Sequence, residues 1–138
     1  MANKSGRMPP DPESCAREWL AVAESDLLAA ASLVGNPALP RQASYCAQQA
    51  AEKAIKAVLS RLNVAFPKTH DLPELLALLP ADHPLCQLTI DWETLTEWAV
   101  RGRYPGTGPA AMDTEACEAI TMAKRIVAVA RGALLTVP

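Results

Sequence analysis

The chain has 138 residues, 50% of them hydrophobic and 20% charged, which is one domain's worth of material and too apolar for a disordered chain. Thirteen Lys and Arg against fifteen Asp and Glu leave a net charge of -2, so any nucleic-acid contact requires a local basic patch. An aromatic content of only 4%, beside abundant alanine, favours helices over a sandwich or barrel.

Residues 1–11 are polar, hold Pro9 and Pro10, and lack the apolar stretch of a signal peptide; a frayed tail is expected. Residues 12–138 are expected to form a single domain. Pro12 and Glu13 suit a first helical turn, and Cys15, Trp19, Val22, Ala23, Ala30 and Leu33 repeat at helical spacing. Gly35-Asn36-Pro37 stops this helix and also breaks the longest uncharged run, which falls short of the ~20 apolar residues of a membrane span. Pro40 opens a second helix to about residue 62, with Ala47, Ala51, Ala54, Ile55, Val58 and Leu62 as its apolar stripe.

Asp71-Leu72-Pro73-Glu74 reads as a capping box for a short helix ending at Pro80. A fourth helix is expected over residues 85–100, with Leu88, Trp92, Leu95 and Ala99 on one face. Residues 102–109 are a Gly- and Pro-rich loop. The last helix starts near Asp113 or Thr114 and repeats Ala116, Ala119, Ile120, Ala123, Val127, Ala130 and Leu134. The fold class is all-α: an up-and-down four-helix bundle with an extra short helix.

Cys15, Cys46, Cys86 and Cys117 form no CxxC and have only two histidines as company, so they are expected to be buried free thiols in a reducing cytoplasm. No metal or cofactor is expected. The sequence also lacks a phosphate-binding glycine loop, a nucleophile elbow and an HExxH helix.

Several polar residues interrupt the apolar pattern. Asp26 falls within the first helix's apolar face and calls for a partner, with His70 and the arginines near residue 101 as candidates. Gln49, Glu52, Lys53 and Lys56 share one face of the second helix, with Tyr45 beside them. That face is either a solvated surface with a Glu52–Lys56 pair or a rigid mount for phosphate-binding lysines. His70 adjoins the Asp71 cap, where backbone N–H groups favour anions; it is either an ordinary loop histidine or a ligand contact. Arg101, Gly102, Arg103 and Tyr104 suit phosphate contact with base stacking, and equally suit a clamp on the fourth helix.

Four blocks carry a family resemblance: Ala23-Glu24-Ser25-Asp26-Leu27, the run from Tyr45 through Gln48-Gln49-Ala50-Ala51-Glu52-Lys53 to Ala57, Pro67-Lys68-Thr69-His70-Asp71-Leu72, and Arg101-Gly102-Arg103-Tyr104-Pro105. In this order, across roughly residues 15–135, the chain resembles the prokaryotic HEPN domain. The resemblance implies a helical bundle with a role in nucleotide or RNA biochemistry. Joined to the basic and aromatic positions read above, it leads to the expectation of a nucleotide or RNA phosphate bound by Lys53, Lys56, His70, Arg101, Arg103 and Tyr104, with Asp26 in support. It further implies pairing with a minimal nucleotidyltransferase in a toxin–antitoxin-like system. A homodimer is expected on other grounds: Leu27 and Leu28 on the first helix, and Ile126 and Val129 beside Val127 on the last, are more apolar surface than a lone bundle needs to bury. The alternatives are a metal-independent endoribonuclease using His70 and Arg101, or a structural oligomerisation protein. The nuclease branch places a histidine a few residues after an arginine. Here eight residues separate Arg61 from His70, and no histidine follows Arg101 or Arg103.

Overall fold

The computed structural model describes residues 11–104 and 110–136; the expectations for residues 1–10 and for the loop at 105–109 lie outside them. Among the described residues, all regular structure is helical. Helix α1 spans Pro12–Leu33, with the Asp11 carboxylate accepting from Ser14 N at its start. It ends before Gly35, whose φ of +89° is a conformation that favours glycine. Gly35 N donates to the Asp113 carboxylate and ties this turn to the start of the last helix.

Helix α2, Pro40–Arg61, is the axis of the molecule: α1, α3, α4 and α5 all pack on it. Its alanines at 43, 47, 50, 51, 54 and 57 are all fully buried. Side chains this small let neighbouring helices approach from several directions, at the short end of the usual ~8–10 Å separation. A single apolar stripe does not describe such a helix. Gln49, Glu52 and Lys56, expected on a solvated face, are 8%, 2% and 8% exposed, because α2 has no solvent side there. Conversely Leu62, read as the last core position of this helix, is its C-cap and lies exposed.

The short helix α3, Leu72–Leu76, starts as expected, with Asp71 accepting from Glu74 N, but gives way to turns before Pro80. The expected helix over 85–100 is two elements. Pro84–Gln87 is a 3₁₀ turn, and α4 runs from Trp92 to Arg101. The break has a local cause: Asp91 accepts from both the backbone N and the hydroxyl of Thr94, an N-cap that starts the helix afresh. Trp98, outside the expected stripe, is 2% exposed and belongs to the core with Leu95 and Ala99.

Helix α5, Asp113–Leu135, buries Ala116, Ala119, Ile120, Ala123, Ile126, Val127 and Ala130 against α2 and α1. Ile126 is therefore core, and Leu27 and Val129 pack partly buried against it, so little of the surplus apolar surface on the outer helices remains. What remains on α1 is Val22, expected inside, and Leu28 at 69% exposure. The cysteines are free, but none is fully buried and Cys117 is exposed. No described helix is long and apolar enough to cross a membrane.

Candidate functional site

Buried along α2 is a chain of polar side chains whose outside partners arrive from α1 and from the segment between α2 and α3. At its centre is Glu52. Its Oε2 accepts from Lys56 Nζ at 3.0 Å, and its Oε1 accepts from Gln48 Nε2 at 3.3 Å. His70 Nδ1 lies 2.8 Å from the same Oε1. Gln48 also donates to the His70 carbonyl at 3.2 Å and accepts from Gln49 at 2.7 Å. Among the described residues no buried side-chain N or O lacks a partner, which satisfies the main condition for placing such groups in a core.

Lys56 is not available as a surface phosphate ligand. Its ammonium sits 5.4 Å from the Trp19 ring centroid and 5.5 Å from that of Phe66, two rings in edge contact. This aromatic pair and the Glu52 carboxylate together offset the desolvation of a buried ammonium. Lys53, one residue after Glu52 and so about 100° round the helix, pairs with Asp26 at 3.0 Å. That contact answers the question the sequence raised about Asp26: its partner is Lys53 and not an arginine or His70. Nearby, burial first and the Asp26 charge second push the Cys46 thiol up, with Lys53 opposing them.

The two arginines separate. Arg101 lies 4.1 Å from the Trp98 ring centroid and 3.3 Å from Glu115, so it fastens α4 to the start of α5. Arg103 is exposed; it donates to the Tyr45 hydroxyl at 2.7 Å and stands 5.6 Å from that ring's centroid. Its hydrogen bond to Tyr45, with Tyr104 adding to it, raises an already high guanidinium pKa. Tyr104, 53% exposed, follows directly. Gly102 makes this placement possible, since a Cβ there would lie 2.5 Å from Tyr45 Cβ. Arg41 donates to the Gly102 carbonyl at 2.8 Å and holds the same segment from α2.

Tyr45, Gln49, Glu52 and Lys56 recur at helical spacing, so the Arg103 and His70 clusters lie over one stripe of α2. At 1.5 Å per residue, Tyr45 and Glu52 are about 10 Å apart along the axis. Of the residues read from sequence, Arg103 and His70 have exposed side chains in contact with this stripe, and Tyr104 is exposed next to Arg103; Lys56 is a buried member of the stripe, while Lys53 is paired with Asp26 and Arg101 with Glu115. The sequence reading overlooked Glu52 as a site residue. Its signal was the proximity of Gln48-Gln49-Ala50-Ala51-Glu52-Lys53 to Thr69-His70-Asp71, where one buried carboxylate serves both blocks. No group of three or more His, Cys, Asp and Glu among the described residues is placed to hold a metal ion.

Comparison with known proteins agrees with this architecture. Residues 16–133 match the family model of the HEPN domain. The crystal structure of TT1696 from Thermus thermophilus is similar at 32% identity and a TM-score of 0.70, covering 86% of this chain and 97% of that one. ST0689, described as an archaeal HEPN homologue, is similar at 26% identity and a TM-score of 0.68, with the same coverage. No curated protein matches the chain.

Proposed function

The chain belongs to the HEPN domain family, and on that premise we propose that it is a nucleotide- or RNA-phosphate-binding module that pairs with a minimal nucleotidyltransferase. The observation that carries this reading is Arg103: an exposed guanidinium steadied from behind by the Tyr45 hydroxyl and followed by an exposed tyrosine. A guanidinium held in this way offers directed, charge-assisted bonds to a phosphate, and Tyr104 offers a ring for a base to stack on. His70, half exposed over the same stripe, is the second contact. Arg103→Ala is expected to weaken binding of a fluorescent oligoribonucleotide by about tenfold or more, without lowering the melting temperature. Unchanged affinity would remove the basis of the proposal.

One observation favours a second reading, a metal-independent endoribonuclease. The Glu52–His70 contact is the kind of carboxylate–imidazole pair that serves general acid–base chemistry, although the family's usual arginine-to-histidine spacing is missing. RNA cleavage that persists in EDTA and disappears in His70→Ala would favour it over simple binding.

A further inference from the structure

Glu52 is surrounded by donors. Lys56 occupies Oε2, while Gln48 and the His70 ring share Oε1. Burial alone pushes this carboxyl up, but the bonds from His70, Lys56 and Gln48, with the Lys56 charge, outweigh it and hold Glu52 below its ordinary value. A carboxylate has no hydrogen to give, so the nitrogen that faces it must supply one. In the neutral imidazole the proton is then on Nδ1, and Nε2 keeps a lone pair.

The surroundings fix this arrangement from two sides. The Gln48 amide is oriented by Gln49, which donates to its oxygen; its NH2 group therefore points to Glu52 Oε1 and the His70 carbonyl together. Lys56 is held between Glu52 and the Trp19 and Phe66 rings and cannot swing away to leave the carboxylate uncompensated. With the Glu52 side chain 3% exposed and that of His70 47% exposed, the buried end of the contact is rigid and the other end meets solvent.

We propose that Glu52 is a positioning residue: it fixes His70 as the Nδ1–H tautomer and presents Nε2 outward as the acceptor for a ligand hydroxyl. The assignment deepens the phosphate-binding reading and rests on it for the ligand, but the tautomer is a property of the free protein. It also gives the stripe a division of labour. Arg103 offers hydrogens to an anion, whereas His70 offers a lone pair to a donor, so a phosphodiester group alone, which has no hydrogen to give, does not satisfy both, and one attached to a sugar with a free hydroxyl does.

Nitrogen-detected NMR of the wild-type protein at pH about 8.5, well above the ordinary imidazole value, reads the tautomer directly. The expected spectrum has His70 protonated at Nδ1 only. The informative variant is Glu52→Gln combined with Lys56→Met, which removes both buried charges together and so avoids stranding either. It is expected to keep its helical circular dichroism, to show a mixture of His70 tautomers, and to bind a short fluorescent oligouridylate about tenfold more weakly than wild type. A wild-type His70 protonated at Nε2, or a double variant whose His70 remains wholly Nδ1–H, overturns the assignment. If the tautomers behave as expected while wild type ignores the oligouridylate, Glu52 keeps its role and the RNA-phosphate reading fails. If the RNA binds but the tautomer is wrong, the reverse holds.

Discussion

Glu52 and Lys56 form a buried ion pair, and a pair of this kind is informative chiefly through what happens when it is broken. Removing one partner leaves the other charged in a dry site, and Glu52→Ala is expected to cost about 3–5 kcal/mol in a denaturant titration. The pH dependence has a definite sign. Because folding lowers the Glu52 pKa from 4.5, its contribution to stability is complete above that value and is lost as the pH falls through the lower folded value. Wild type is therefore expected to lose stability on acidification below about pH 4.5, with a shallower decline in the Glu52→Gln, Lys56→Met protein. A decline equally steep in both would place the acid-sensitive group elsewhere. This residue was the least legible feature of the sequence. Amphipathic reasoning gives a helix one buried face, and on that assumption Gln49, Glu52 and Lys56 had to face water. The arginine pair was ambiguous for a different reason: spacing shows that Arg101 and Arg103 are near each other, but not that Trp98 and Glu115 would claim only the first.

At the scale of elements, α1, α2 and α5 were readable because each carries a long 3.6-residue period; Pro12 and the Gly35 turn bound α1, and Pro40 opens α2. The stretch over 85–100 was not, since Leu88, Trp92 and Leu95 sustain a helical period straight through a capped break. Two leucines and a tryptophan outweighed an Asp-x-x-Thr cap that was visible all along. The other consequential junction is the end of α4. Gly102 has an ordinary negative φ, so its requirement is space and not backbone freedom. Gly102→Ala is expected to force the Tyr45 side chain and the end of α4 apart, costing roughly 1–3 kcal/mol as an overpacked contact does. It should also disturb Arg103 and so weaken oligonucleotide binding. Loss of stability with binding intact would show that Arg103 does not need the Tyr45 seat.

For the molecule as a whole, the bundle architecture could be reached by counting helices, but not the fact that one helix is central. That arrangement depends on which elements touch, and a pattern of small residues along α2 is the only trace it leaves in the sequence. It also revises the argument for self-association. Ile126 and Val129 are drawn into the bundle, so the proposed homodimer now rests on α1, where Val22 and Leu28 face outward. Leu28→Glu is expected to convert a dimer into a monomer in light scattering while leaving the melting temperature within a few degrees of wild type, because Leu28 is 69% exposed and little of its burial is at stake. A wild-type protein that is monomeric at micromolar concentration would end the proposal.

The central position of α2 also sets an order of mechanical security within the site. A helix wrapped by four others opens only when the whole molecule opens, so its mid-helix amides are expected to be the slowest to exchange with deuterium. Glu52, Gln48 and Tyr45 ride on that helix and are held in place with it. Arg103 and Tyr104 follow a ten-residue helix that packs on α2 and α3, and their amides should exchange far sooner. A ligand would then meet one wall already in its final shape and another that can still adjust to it. Binding should slow exchange chiefly at the second wall.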